Sequence, residues 1–295
     1  MRLGFIGLGV MGRPMASHLL EAGHMVSIFA RRSEAARALA GAGAIARASP
    51  AEVAAQSEVV FTMVTAGADV EEIACGGHGL VRGASPGMVL VDMSTIAPAD
   101  ARRIAARLEE QGVDMLDAPV SGGSRGALDA SLAIMVGGKA EVLERVRPLL
   151  ALLGTTIVHV GPNGAGQVAK ACNQMIMVAC IEAVAEAMTL ARASGVSCDK
   201  VRGALSGGSA ASRVLDFFGA KMARSDFAAG VQARLHHKDF GILMSEANTL
   251  GAPLPVVAQV WQQLNALMAR GWGGEDTSGL LRVLEALRDQ PACCP

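Results

Sequence analysis

The sequence predicts an N-terminal doubly wound α/β sheet over residues 1–162, followed by an all-α C-terminal domain over residues 163–295. Three observations predict it: a glycine-punctuated strand–helix start, a run of alternating strand and helix patterns, and a switch to helix patterns alone. At the start, Leu3 to Ile6 is an apolar run of strand length. It breaks at Gly7, and an amphipathic helix pattern follows from about Met11 to Ala22. Gly7, Gly9 and Gly12 keep the G-x-G-x-x-G spacing across that strand–turn–helix. The first glycine allows the tight turn, the second lets backbone approach a pyrophosphate, and the third lets helix and strand pack closely. The helix N-terminus would take the anion, because its free N–H groups and the helix dipole favour negative charge. Gly7, Leu8, Gly9, Val10, Met11 and Gly12 are thus candidate cofactor-binding residues, and the sheet is expected to be of the Rossmann type.

The alternation follows in order. Residues 25–30, 58–64, 88–94, 113–120, 132–138 and 156–161 read as strands. Residues 33–40, 50–56, 68–74, 98–111 and 139–152 read as the helices between them. Such alternation implies a mostly parallel sheet with right-handed crossovers. After "GPNGAG" the strands cease, and 167–194, 201–205, 211–223, 235–250, 256–270 and 278–289 read as helices. The domain boundary is expected near Pro162.

Composition narrows the function. Hydrophobic residues make up 51% and charged ones 18%, so the chain can bury a large core. A net charge of −1 with no block of Lys or Arg speaks against nucleic acid as a partner. No signal-peptide pattern is read at the N-terminus. The apolar stretch from Met175 to Ala193 carries Glu182, Glu186 and Arg192, which favours a buried helix over a membrane span. A soluble, cytoplasmic protein is expected. The six cysteines form no C-x-x-C or other metal-ligand spacing, so they read as buried thiols, with Cys293 and Cys294 in a frayed tail. No metal is expected. Tyrosine is absent, which excludes the two large reductase groups whose proton donor is a Tyr. A nicotinamide enzyme built on this chain would take its proton from Lys, His or a carboxylic acid.

The helix after the boundary is apolar around most of its circumference, the mark of burial on nearly all sides. Lys170, Asn173 and Gln174 stand on it at i, i+3 and i+4 and so share a face. They are either a satisfied polar patch at the helix start or a group that meets a substrate carbonyl.

"GFIGLGVMGRPMASHLLEAGH", "VDMSTIAP", "LDAPVSGG", "SLAIMVGG", "GAGQVAKACNQ" and "HHKDF" occur in the order found in the β-hydroxyacid dehydrogenase family, and the resemblance covers nearly the whole chain. The resemblance implies NAD(P)H-dependent reduction of a small carboxylate semialdehyde. Within the family, the segments around Lys170 and Lys238 are most like those of tartronate semialdehyde reductases, which take 2-hydroxy-3-oxopropionate to glycerate. Oxidation of 3-hydroxyisobutyrate and reduction of glyoxylate or succinic semialdehyde are the alternatives. By the same resemblance Lys170 is the catalytic proton donor and Asn173 the assisting amide, while Gln174 stands where relatives carry a second Asn. Ser121, Gly122 and Gly123 match the loop that holds the substrate carboxylate, although a glycine-rich turn after a strand would look the same. Thr95 matches a residue near the nicotinamide, Lys238 one that closes over the cofactor, and Thr65 falls where relatives often have Pro. Ala130 replaces a common glycine, which puts the geometry of that turn in question.

Cofactor preference is read from the end of the second strand. An acid that accepts a 2′-hydroxyl is expected about 20 residues after the glycines. "SIFARRSE" offers Ala30 there, followed by Arg31 and Arg32, which favours NADP(H) over NAD(H). The other reading leaves both arginines in solvent and lets Glu34 supply the acid. None of the histidines (His18, His24, His78, His159, His236, His237) shows a carboxylate partner in sequence. The apolar helix from Gln167 implies a homodimer or homotetramer built through the helical half. A dinucleotide-binding module without catalysis is the non-enzyme alternative, and retention of Lys170, Asn173 and the 121–123 loop speaks against it.

Overall fold

Strand β1 (Arg2–Ile6) is paired on both edges and buried on both faces, which is why its sequence is a continuous apolar run and does not alternate. The computed structural model describes residues 1–288, in two compact units that part at Lys170. In the first unit, β1 leads into α1 (Gly12–Glu21), β2 (Met25–Phe29), α2 (Ser33–Gly41), β3 (Ile45–Ala46), α3 (Pro50–Ala55) and β4 (Val59–Thr62). Then come α4 (Gly67–Cys75), β5 (Val89–Asp92), α5 (Pro98–Glu109), β6 (Asp114–Asp117), β7 (Val120–Ser121) and α6 (Gly123–Leu128). Strand β8 (Leu132–Gly137), α7 (Ala140–Leu150) and β9 (Gly154–Gly161) complete the sheet, and α8 (Ala165–Ala193) runs on into the second unit.

The strand order is β3-β2-β1-β4-β5-β6, all parallel, as in a dinucleotide-binding sheet. Strand β8 then joins β6 antiparallel, β7 lies antiparallel on β8, and β9 lies parallel to β8. The order reverses between β1 and β4, so the crevice at their C-terminal ends is the switch point where such sheets bind ligands.

Three local expectations are corrected. Residues 113–120 form two short strands and not one, because Pro119 lies between them and cannot donate a ladder bond. Helix α6 has no counterpart among the expected elements, because "SGGSRG" is dominated by turn formers. The helix expected over 211–223 is interrupted by a π-helical turn, Leu215–Gly219. The compact units part at Lys170, with the first turns of α8 bonded into the sheet unit.

The second unit is helical: α9 (Cys198–Leu205), α10 (Ala220–Ala223), α11 (Ala233–Leu250), α12 (Pro255–Ala269) and α13 (Leu280–Arg288). Its core packs Val178, Ile181 and Met188 of α8 with Phe240 of α11, Leu264 of α12 and Leu281 of α13. The expectation that α8 is buried on nearly all sides is not met. Ile176 and Leu190 are 62% and 69% exposed, on a stripe left open among the described residues. Helix α8 is long and apolar enough to span a membrane by length and composition alone, yet it buries Gln167, Lys170, Gln174 and Glu182.

Candidate active site

The three motif glycines do three different things. Gly7 has φ +100°, and a Cβ there would lie 2.2 Å from the carbonyl oxygen of Met63. A Cβ on Gly12 would lie 2.0 Å from the Gly7 carbonyl, so helix and turn touch there. A Cβ on Gly9 would meet nothing within 4 Å, so the approach to its backbone is open. Beside them, at the ends of β1 and β4, is a cavity of about 400 Å³, whose lining includes Gly9, Ala30, Arg31, Arg32, Val64 and Thr65. An open glycine turn at a helix start, apolar walls and two guanidinium groups, with Asp69 and Glu72 also in the lining, fit a dinucleotide. Arg31 is paired with Asp69 of α4 at 3.2 Å. Glu34 is exposed on α2 and does not line the cavity.

At the ends of β4, β5 and β6 lies a buried polar brace. Asp92 Oδ1 accepts from the Thr62 hydroxyl at 2.7 Å and from the Ser94 N–H at 3.2 Å. Burial pushes the Asp92 carboxyl up to about 6. The Ser94 hydroxyl accepts from the N–H of Val64, next to Thr65. Asp117 accepts from the N–H of Gly164 through Oδ1 (2.7 Å) and of Gln167 through Oδ2 (3.1 Å), as a carboxylate cap on the start of α8. The Gln167 side chain bonds back to Ser94 and Ile96, on either side of Thr95. Lys170, 7% exposed, follows one turn along α8.

Ser121 ends β7, and Gly122 (φ +134°) and Gly123 (φ +63°) carry the chain into α6. Gly122 is exposed and Ser121 half-buried, so hydroxyl and backbone are both accessible to a ligand. Ala130 adopts φ +51°, the left-handed conformation that a glycine would hold without strain.

In the second unit the polar residues form a relay. The Asn173 amide donates to Gln174 Oε1 at 2.9 Å, and Gln174 Nε2 donates to Asp239 Oδ2 at 2.6 Å. Asp239 Oδ1 pairs with Lys238 at 3.1 Å. Sequence reasoning passed over Asp239, Gln167 and Asp117. Apart from Lys238 beside Asp239, the partners cited lie tens of residues away, and no local spacing reports such contacts.

The histidines have other work. His18 meets the carbonyls of Ala127 and Leu128 and stands 3.8 Å from Glu21, a carboxylate partner the sequence reading missed. His159 meets Gly138, His236 meets Thr277, and His237 meets Asn265 and stacks on Trp261. His78 lines the cavity. Cys172 is exposed, against the expectation of buried thiols, while Cys198 is buried. Cys293 and Cys294 lie outside the described residues.

This geometry agrees with the relatives of the chain. Residues 2–161 match the family model described as the NAD binding domain of 6-phosphogluconate dehydrogenase. Residues 164–284 match that of the NAD-binding domain of NADP-dependent 3-hydroxyisobutyrate dehydrogenase. The chain is 41% identical to 2-hydroxy-3-oxopropionate reductase of Escherichia coli, over 97% of this chain and 98% of the relative. It is 36% identical to NAD-dependent L-serine dehydrogenase of Pseudomonas aeruginosa, over 98% and 99%. The solved structure of 3-hydroxyisobutyrate dehydrogenase of Mycobacterium tuberculosis with L-serine superposes with a TM-score of 0.89 at 34% identity, covering 96% of this chain and 99% of that one. The chain belongs to the 3-hydroxyisobutyrate dehydrogenase-like β-hydroxyacid dehydrogenase family. It is an oxidoreductase that acts on CH–OH groups with NAD(P).

Proposed function

We propose that the chain reduces 2-hydroxy-3-oxopropionate to glycerate and prefers NADPH. The cofactor, when bound, supplies the hydride. Lys170 gives a proton to the carbonyl oxygen and takes it from the hydroxyl in reverse. Asn173 hydrogen-bonds the same oxygen. The Ser121 hydroxyl and the N–H groups of Gly122 and Gly123 hold the carboxylate, Thr95 borders the nicotinamide, and Lys238 closes over the cofactor. The observation that carries this reading is Lys170, a buried lysine on a helix that also bears Asn173, in a chain without tyrosine.

The relative at 41% identity supports the substrate, and relatives named for L-serine and 3-hydroxyisobutyrate set the competitors. Arg31 and Arg32 beside Ala30 support NADPH, since a guanidinium pairs with a 2′-phosphate and nothing acidic stands at Ala30. The exposed stripe on α8 supports assembly through the helical unit into at least a dimer.

The test is a panel of kcat/KM values. Tartronate semialdehyde, glyoxylate, succinic semialdehyde and methylmalonate semialdehyde are run in reduction, L-serine and 3-hydroxyisobutyrate in oxidation, with both cofactors. Tartronate semialdehyde with NADPH is expected to lead by at least about tenfold, each tenfold being 1.4 kcal/mol of transition-state binding. Arg31→Ala/Arg32→Ala is expected to erase the preference. Another acid in the lead overturns the substrate, and equal use of NADH by the wild type overturns the cofactor.

A further inference from the structure

Gln167 is 1% exposed, in the first turn of α8, and both ends of its amide are bonded. Its Oε1 accepts from the N–H of Ile96 at 3.1 Å, and its Nε2 donates to the carbonyl of Ser94 at 2.8 Å. These two contacts grip the backbone on either side of Thr95. The backbone N–H of Gln167 is held in turn by Asp117 Oδ2. Next to it, a Cβ on Gly166 would lie 2.4 Å from the carbonyl of Asp117 and 2.5 Å from that of Met135, so the start of α8 is pressed onto the sheet. Lys170 is one turn further on.

We propose that Gln167 is a positioning residue, which locks the Thr95 turn to the first turn of α8 and so fixes the separation between Thr95 and Lys170. The inference rests on the roles given above to Thr95 and Lys170. A reacting group displaced by about 1 Å can cost on the order of 10²-fold in rate. The rotation and slide of α8 against the Thr95 turn are what this amide prevents. Filling the space alone would need no polar atom, and a single contact would need only a donor or an acceptor. Here a donor and an acceptor are both used, at the reach of a glutamine.

Three substitutions separate these demands. Gln167→Met keeps the volume and removes both bonds. Gln167→Glu keeps the reach and the acceptor but loses the donor wherever its carboxyl is ionised. Gln167→Asn keeps the amide and shortens the reach. Each is measured beside Lys170→Ala for kcat, KM and the primary deuterium isotope effect on kcat with 4-deuterated NADPH, with melting temperature and NADPH fluorescence as controls of folding and binding. Gln167→Met and Gln167→Glu are expected to lose about 10- to 100-fold in kcat, with KM within about threefold. Their isotope effect should rise above that of the wild type, because hydride transfer becomes the slow step, while NADPH still binds. Gln167→Asn should recover part of the loss. Folded variants with kcat within twofold of wild type, or with an unchanged isotope effect, overturn the proposal. A set in which no variant folds also overturns it, since the residue would then carry stability and not placement. If Lys170→Ala loses turnover and these variants do not, the positioning role alone falls. If Lys170→Ala keeps its turnover, the underlying reading falls.

Discussion

The two lysines proposed for the site are held in opposite ways. Lys170 rides on a helix whose first turn is tied to the sheet through main-chain groups, by Asp117 and Gln167. Lys238 is held through side chains, by Asp239, which is bonded to Gln174 and through it to Asn173. Each of those bonds has one end on the main chain, so only one side chain is ordered to make it. A relay of long side chains tolerates adjustment, at a cost in rotamer entropy each time it forms. A proton donor needs the first arrangement and a closing group can use the second.

The largest effect should come from breaking the brace. Asp117→Ala strands the buried N–H groups of Gly164 and Gln167, and an unpaired buried group costs about 1–3 kcal/mol each. A loss of roughly 2–6 kcal/mol in urea unfolding of the sheet unit is expected, with turnover falling alongside. Gln174→Ala cuts the relay, where half-buried Asn173 can find water and buried Asp239 keeps Lys238 on its other oxygen. It should cost less than about tenfold in kcat and at most roughly 1.5 kcal/mol. Equal losses at the two places would erase the contrast.

Glu182 sharpens it further. This carboxyl on α8 is buried with neither oxygen hydrogen-bonded, and burial, with Glu186 nearby, pushes it up to about 7. The folded protein therefore keeps a proton that the unfolded chain releases near the ordinary value of 4.5. Stability is fully present below that value, falls as pH rises toward about 7, and is flat beyond. Glu182→Gln should remove this slope, so that its melting temperature exceeds that of wild type by several degrees, about 5 °C, at pH 8 and by little at pH 5. A constant difference across that range would show that Glu182 stays ionised. The smallest effect is Ala130→Gly, which relieves a left-handed alanine and should stabilise by about 0.5–1 kcal/mol.

Much of the fold is written locally. Gly7, Gly9 and Gly12 announced a tight turn, an open backbone and a close packing, because each demand acts within a few residues. The parallel strands showed as apolar runs, since both their faces are covered. What stayed hidden is long-range or polar. Gln167 reads as an ordinary helix-start residue until Ser94 and Ile96, more than seventy positions back, are brought beside it. Asp117 reads as the end of a strand until α8 lands on it, fifty positions later. Helix α6 and the π-helical turn at 215–219 escaped for another reason: tertiary packing overrode a composition that favours turns in one and regular helix in the other.

The central claim is that Lys170 delivers the proton, and Lys170→Ala tests it most directly. Turnover of 2-hydroxy-3-oxopropionate with NADPH and the affinity for NADPH alone are measured on the same folded variant. The account predicts a loss of about 10²–10⁴-fold in kcat with NADPH affinity nearly unchanged, because the lysine acts on the carbonyl and not on the pyrophosphate. A folded variant that keeps more than about a tenth of wild-type kcat would contradict it, since losing a positioned acid costs far more than that.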